Sequence, residues 1–235
     1  MTQEARPTGS EGATDPREVL ATLRPQAYGN SGPQKIRDPL VEPLWVGVRI
    51  LTAVDAEGAT LVDADGDPVP GMATIAESLA ESLRADGVVL DGFLTKQTGR
   101  ASAVMVWPDE MPSLKGLVGL RSNRAMDTVA LKEDALAAPS LVSEEAVSFV
   151  ATDLLWLDDT SLLDVPLLER RRLLESAIEE SESVRVGAFV RPPIDSWITS
   201  WRSTGFTGLT YKAANSRYLP GKPNPDWVIT GMPRR

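Results

Sequence analysis

The segment FVATDLLWLDDTSLLDVPLLERRRLLESAI, residues 149–178, is the most informative part of the chain about its architecture. Its continuously apolar beginning belongs to a predicted buried strand over residues 146–157. We expect Asp164 to cap the helix that follows and Pro166 to lie in its first turn. Apolar residues at helical spacing then predict a stripe that faces the core, formed by Leu167, Leu173, Leu174, Ala177 and Ile178.

The rest of the chain alternates between strand patterns and helix patterns without an internal repeat. Residues 25–40 are rich in proline and glycine and predict a loop. Helices are expected at 17–23, 72–86 and 194–203, and strands at 45–54, 59–65, 87–94, 101–107, 184–190, 206–213 and 226–230. This mixture predicts one α+β domain over residues 17–235, preceded by a disordered N-terminal tail over residues 1–16.

The composition excludes several kinds of chemistry. The chain has 235 residues, no cysteine and no histidine, so thiol nucleophiles, imidazole bases, and metal sites built from thiolate or imidazole are excluded. A metal ion would need carboxylate ligands, and no metal site is predicted. No apolar run is long enough to span a membrane, and the polar N-terminus lacks the apolar core of a signal peptide. We therefore expect a cytoplasmic protein without membrane partners.

The C-terminal segment differs from the rest in charge. The whole chain has a formal net charge of −9, whereas residues 201–235 carry six cations and one acid. These cations alternate with Tyr211, Tyr218 and Trp227, a combination that suits a phosphate-bearing partner. Arg217 and Lys222 are the candidate nucleic-acid contacts. The same cations could instead face the acidic remainder of the chain, and the sequence leaves both interpretations open.

Four motifs occur in a familiar order: EPLWVGVRI at 42–50, VLDGFL at 89–94, the 149–178 segment, and GFTGLTYKAANSRYLPGKPNPDWV at 205–228. In this order the chain resembles the nucleotidyltransferase (adenylation) domain of ATP-dependent DNA ligases, and in particular those of bacterial end-joining repair. The resemblance covers roughly residues 40–230. It implies a ligase-type, ATP-grasp-like α+β fold of antiparallel sheets packed with helices. No oligonucleotide-binding-fold (OB-fold) domain is expected after it.

The resemblance also implies that the catalytic residues have been replaced. Such ligases attack the α-phosphate of ATP with a lysine, and Leu44 occupies that position here. A leucine side chain has no lone pair and cannot form the lysyl–AMP bond, so no catalytic residue is predicted. Phe93 replaces the glutamate of the Asp-Gly-Glu motif, and Thr152 replaces the aromatic residue that stacks on adenine. Both lysines of the last motif are also lost, since Ile229 and Gly231 stand in their places.

Five polar members of the family pattern remain and form the predicted residual nucleotide pocket: Glu42, Arg49, Asp91, Asp153 and Lys212. The family uses ATP and Mg²⁺, but we expect weak ATP binding or none, and no resident cofactor. The emptied pocket is expected to be filled by its own side chains, or else to bind an apolar ligand or peptide. Asp91 or Asp153 is expected to pair with Arg49 or Lys212, unless these groups still hold a phosphate.

Three hypotheses for function follow. The preferred one is a catalytically inactive ligase-like protein, a pseudo-ligase. It would bind nucleic acid weakly or bind a protein partner, as an accessory in DNA repair or nucleic-acid metabolism. The second is an active nucleotidyltransferase with a relocated nucleophile, Lys35 or Lys96. The third is a non-covalent nucleotide sensor that uses Glu42, Arg49 and Lys212.

Overall fold

The computed structural model describes residues 15–96 and 147–233, and within these ranges strands dominate. Helix α1 (Pro16–Thr22) is followed by β1 (Ala27–Tyr28), a 3-10 turn (Pro33–Lys35) and the strands β2 (Pro39–Pro43), β3 (Val48–Asp55) and β4 (Gly58–Val62). Helix α2 (Ala73–Ser82) precedes β5 (Gly87–Thr95). After the undescribed segment come β6 (Ser148–Leu157), β7 (Thr160–Ser161), α3 (Leu167–Ala177), β8 (Val184–Val186), α4 (Asp195–Ser203), β9 (Gly208–Ala213), β10 (Pro223–Asn224) and β11 (Trp227–Gly231).

The described strands form two main sheets and one small ribbon. The larger sheet has the strand order β4-β3-β5-β6-β7, with all neighbours antiparallel, and β8 pairs with β6 in parallel. The smaller sheet is antiparallel, with the order β11-β9-β2. Strands β1 and β10 form a short parallel pair. The expected antiparallel α+β architecture is confirmed.

The larger sheet is buried on both faces, which explains why β3 and β5 are almost continuously apolar. One face packs against α2 through Ile75 and Leu79 and against α3 through Leu174 and Ala177. The opposite face lies against the smaller sheet and its flanking segments, and this space contains the residues singled out by sequence. The link between β2 and β3 passes close to β5, and a Cβ at Gly47 would be 2.1 Å from the Leu94 carbonyl oxygen. Only glycine allows this approach.

Several boundaries differ from the predictions. Helix α1 begins at Pro16, and the Asp15 side chain accepts a hydrogen bond from the Arg17 amide. The folded domain therefore includes residues 15 and 16, which were predicted to belong to the tail. The predicted loop over 25–40 contains β1 and the beginning of β2. Strand β8 ends at Val186, four residues before the predicted end. The predicted strand at 101–107 and most of the predicted tail lie outside the described residues.

The predicted helix cap at Asp164 is wrong. Helix α3 begins at Leu167 after Pro166, without a side-chain cap. The Asp164 carboxylate is exposed and instead lies 3.2 Å from Nη1 of Arg217. Pro166 is itself the N-cap residue, with an extended backbone (ψ 139°), so it precedes the first helical turn in which it was expected.

Candidate functional site

The five polar residues of the predicted pocket are all buried, on strands from both main sheets. Exposed fractions are 2% for Glu42 on β2, 8% for Arg49 on β3, 0% for Asp91 on β5, 0% for Asp153 on β6 and 1% for Lys212 on β9. Charged groups this deep are stable only when they are paired or hydrogen-bonded. The pairs that they form therefore define the chemistry available in this space.

Lys212 and Glu42 form the first pair. The antiparallel register between β2 and β9 places Glu42 opposite Thr210, so Lys212 is its diagonal neighbour on the same face. The Lys212 ammonium lies 2.6 Å from Oε2 of Glu42 and 4.3 Å from the centre of the Trp227 ring. Both contacts hold the ammonium in place. The other carboxylate oxygen, Oε1 of Glu42, has no hydrogen-bond partner in the described structure.

Arg49 and Asp91 form the second pair, with two parallel hydrogen bonds. Nε of Arg49 donates to Oδ1 of Asp91 at 2.9 Å, and Nη2 donates to Oδ2 at 2.6 Å. Nη1 donates to the Gln26 carbonyl oxygen at 2.6 Å. Burial by itself lowers the pKa of Arg49, but the charge and hydrogen bonds of Asp91 outweigh it and raise the pKa. The predicted pairing of Asp91 with Arg49 is thus what the structure shows.

Asp153 pairs with a residue that the sequence prediction omitted. Nε and Nη2 of Arg170 donate to the two carboxylate oxygens of Asp153 at 2.8 and 2.7 Å, and both side chains are fully buried. The predicted partners, Arg49 and Lys212, are engaged elsewhere. Helical spacing could have predicted that Arg170 is buried, because Arg170 follows Leu167 by three residues and precedes Leu174 by four. Position 170 therefore falls on the buried stripe of α3.

Tyr218, one of the aromatic residues of the basic C-terminal segment, extends the Arg49–Asp91 pair. Its hydroxyl donates to Oδ2 of Asp91 at 2.7 Å and accepts from the Gln26 amide at 3.2 Å. Burial raises the pKa of Tyr218 well above its ordinary value, and the charge of Asp91 and their hydrogen bond raise it further. The phenol therefore stays protonated in the folded chain under conditions that ionise it in the unfolded chain.

We expect this shift to make the protein less stable in alkali. Above about pH 10 the unfolded chain releases the Tyr218 proton and the folded chain keeps it, so stability falls by about 1.4 kcal/mol per pH unit for this group. Tyr218→Phe should flatten the alkaline slope of the unfolding free energy measured in urea between pH 9 and 11. Tyr211→Phe is the matched control, since Tyr211 is only half-buried and its pKa is raised by burial alone. Equal slopes for wild type and Tyr218→Phe would contradict the prediction.

Leu44, which the resemblance places at the position of the family nucleophile, lies against Gly208. The Leu44 amide donates to the Gly208 carbonyl oxygen at 2.9 Å, and a Cβ at Gly208 would be 2.8 Å from Cδ2 of Leu44. Phe93 is buried in an apolar cluster with Trp45, Phe206 and Leu209. The rings of Trp45 and Phe206 meet edge to face, 5.0 Å between centres. Leu44 itself is only partly buried.

The basic C-terminal segment does not form one continuous surface. Lys212, Tyr218 and Trp227 are buried, so they are not available to stack on or pair with a partner. Arg217 and Lys222 are exposed, and Arg217 lies 3.2 Å from Asp164. The two last arginines, at 234 and 235, lie outside the described residues. Counting charge along the sequence overestimated the basic surface because it ignored which side chains point inward.

The described ranges, residues 15–96 and 147–233, contain neither a cluster of metal ligands nor a helix that could span a membrane. Within them, no three acidic side chains lie close enough together to hold a metal ion. The helices there are too short and too polar to cross a bilayer.

Comparison with known families gives a match to the ATP dependent DNA ligase domain over residues 104–228, more than half of the chain. The multifunctional non-homologous end joining protein LigD of Mycobacterium bovis is 29% identical over 187 residues, which cover 80% of this chain and 21% of the relative. DNA ligase 2 of Methanosarcina mazei is 25% identical over 202 residues, 82% of this chain and 32% of the relative. The chain thus spans about a fifth to a third of these relatives.

Solved structures agree with the sequence relatives. The ligase domain of LigD from M. tuberculosis superposes with a TM-score of 0.57 at 26% identity, covering 89% of this chain and 59% of that one. A mycobacterial DNA ligase D complexed with ATP and MES gives a TM-score of 0.59 at 24% identity, covering 90% of this chain and 60% of that one. Because its sequence identity is below 25%, the second structure supports the fold and nothing further.

Proposed function

We propose that this chain, which belongs to the family of ATP-dependent DNA ligase domains, is a pseudo-ligase. It would act by binding a partner and not by catalysis. The family membership makes it a DNA ligase-like nucleotidyltransferase domain. The finer proposal, loss of catalysis, is carried by one observation. Leu44 occupies the nucleophile position and packs against Gly208, and the nearby Lys212 is held by Glu42 at 2.6 Å.

The residues of the cleft do not fit ATP with Mg²⁺. A triphosphate brings about four negative charges, which need several cations and donors to offset the loss of water. The cations of the predicted pocket are Arg49 and Lys212, and each is already bound to a carboxylate. Opening either pair for a phosphate would leave the carboxylate of Asp91 or Glu42 buried without a cation to balance its charge. We therefore propose that ATP binds weakly or not at all.

A relocated lysine receives little support from the described geometry. Lys212 is 1% exposed and bound to Glu42, so its amine is not free to act as a nucleophile. Lys35 is exposed at the end of the 3-10 turn, and Lys96 follows β5. The sensor hypothesis has one observation in its favour, since Oε1 of Glu42 is a buried acceptor without a donor.

The test is self-adenylation. We expect no label on the denatured chain after incubation with α-labelled ATP and Mg²⁺, because no lysine of the described residues stands at the position of the family nucleophile. A ligase domain from a related LigD protein, treated in parallel, serves as the positive control. Stoichiometric label on Lys35 or Lys96 would contradict the pseudo-ligase proposal. Micromolar ATP binding by calorimetry without label, weakened in Lys212→Ala, would favour the sensor.

A role in DNA repair is proposed from the relatives, one of which is named a multifunctional non-homologous end joining DNA repair protein. Contact with DNA would be made by Arg217 and Lys222, which lie on the exposed 217–222 loop. Such contacts reach phosphates and position the chain without reading bases. The acidic remainder of the chain would oppose them. A protein partner that recognises the same loop is the alternative.

We expect weak, sequence-indifferent DNA binding with a shallow salt dependence. Two phosphate contacts give a slope of roughly −1.8 in a plot of log affinity against log salt, or about a tenfold loss between 50 and 200 mM. Fluorescence anisotropy should show that Arg217→Ala/Lys222→Ala binds more weakly than wild type. Arg84→Ala/Arg172→Ala, which removes two equally exposed cations from other elements, should not. If both double variants bind alike, the loop is not the nucleic-acid contact.

A further inference from the structure

The described part of the chain buries four cations, and one of them lacks a carboxylate partner. Arg49, Arg170 and Lys212 each bind an aspartate or glutamate. Arg171 is 0% exposed, and no acidic side chain within the described ranges forms an ion pair with it. Its guanidinium instead donates to the carbonyl oxygens of Thr152, at 2.6 Å, and of Gly187. A buried charge that only carbonyl groups compensate leaves the surrounding space electropositive.

Two hydrogen-bond donors in this neighbourhood have no acceptor. They are Nε of Arg171 and the indole Nε1 of Trp45, both on buried side chains. Gly187 connects them, because its carbonyl oxygen accepts from Arg171 and a Cβ on it would lie 3.3 Å from Nε1 of Trp45. The methyl group of Thr152 borders the same position at 3.4 Å. Buried N–H groups without an acceptor are uncommon in native proteins. Two of them occur here, one on the unpaired cation Arg171 and one on Trp45, which suggests that an acceptor is missing.

We infer that Trp45 and Arg171 form a binding site for a small monovalent anion beside Gly187. The donors supply two N–H groups and Arg171 supplies the neutralising charge. The site is also lined by the Phe189 ring, whose centre is 5.3 Å from the Arg171 guanidinium, by the Thr152 methyl group, and by the Ala151 carbonyl oxygen, which would lie 3.4 Å from a Cβ on Gly187. Such walls favour an ion that loses its water easily, such as chloride or a single carboxylate, over a polyanion. This site uses neither the Glu42–Lys212 nor the Arg49–Asp91 pair, so it is independent of the proposed function.

The experiment compares anions at constant ionic strength. The melting temperature of the full chain is measured in sodium gluconate, with increasing replacement by sodium chloride or by sodium acetate. A ligand that binds only the folded chain raises the melting temperature with its concentration. We expect a saturable rise with chloride or with acetate, and the arm with the lower half-saturating concentration identifies the preferred ion. Line broadening in the ³⁵Cl resonance, relieved by denaturing the protein, gives an independent readout for chloride.

Two variants locate the effect. Trp45→Phe keeps an aromatic ring but removes the indole N–H, and should raise the half-saturating concentration about tenfold. Gly187→Ala adds a methyl group within 3.3 Å of the donor and should abolish the effect. Trp201→Phe is the matched control, because Trp201 is also buried and its ring contacts Trp197 instead. The inference is overturned if neither chloride nor acetate stabilises the chain relative to gluconate. It is also overturned if Trp45→Phe responds like Trp201→Phe.

Discussion

Replacing Asp153 with alanine should lower the free energy of unfolding by about 3–5 kcal/mol, the usual loss when one partner of a buried ion pair is removed. The Arg170 guanidinium would stay 0% exposed without its two carboxylate acceptors. Its remaining hydrogen bonds, to the carbonyl oxygens of Val165 and Ser216, do not neutralise the charge. Urea unfolding of wild type and variant, followed by circular dichroism, measures the loss.

The exposed pair between Arg84 and Glu179 provides the matched control. Its side chains are 57% and 60% exposed, so Glu179→Ala should cost no more than about 1 kcal/mol. The double variant Asp153→Leu/Arg170→Met should recover part of the lost stability, because no buried charge is left unpaired. A loss for Asp153→Ala as small as that for Glu179→Ala would mean that water reaches this pair.

Replacing Lys212 with methionine should have a comparable effect, about 3–5 kcal/mol, and it bears directly on function. The variant keeps the length of the side chain but leaves the Glu42 carboxylate buried, with only a weak contact from the Thr210 hydroxyl at 3.4 Å. The contact of the ammonium with the Trp227 ring is lost as well. If instead the cleft opens to nucleotide, Lys212 is solvated and the same substitution should cost little.

Two variants complete this test. Lys222→Met removes an exposed cation ten residues away and should change stability by no more than about 0.5 kcal/mol. Glu42→Gln/Lys212→Met removes both charges and should be more stable than Lys212→Met alone. A destabilisation by Lys212→Met no larger than that by Lys222→Met would contradict the closed ion pair on which the pseudo-ligase proposal depends. The order of these stabilities is measured by the same urea titration.

Most strands and helices were predictable because their signals are local. The apolar runs of β3, β5 and β6 and the leucine spacing of α3 depend only on neighbours in sequence. Strand β2 was missed because a proline stands at each of its ends, and prolines indicate loops. Residues 39–43 form a strand because they pair with β9, a contact that the local sequence pattern does not predict.

For the candidate site too, the sequence was sufficient for some features and not for others. The amino-acid sequence was sufficient to establish the family and the absence of a lysine at position 44, because these depend on which residues follow one another. It also supplied Glu42, Arg49, Asp91, Asp153 and Lys212 as the surviving polar groups. It left open whether these groups face a ligand or one another.

The three-dimensional packing gives each of these groups an oppositely charged partner within the described residues. Strand register joins Glu42 to Lys212, and the position of α3 against β6 joins Arg170 to Asp153. The same packing leaves Arg171 without a carboxylate and buries Tyr218 and Trp227, whose environment the charge pattern had left open. Partners in these pairs are separated by 17 to 170 residues in sequence. Burial and electrostatic compensation depend on distances in space, and folding alone sets those distances.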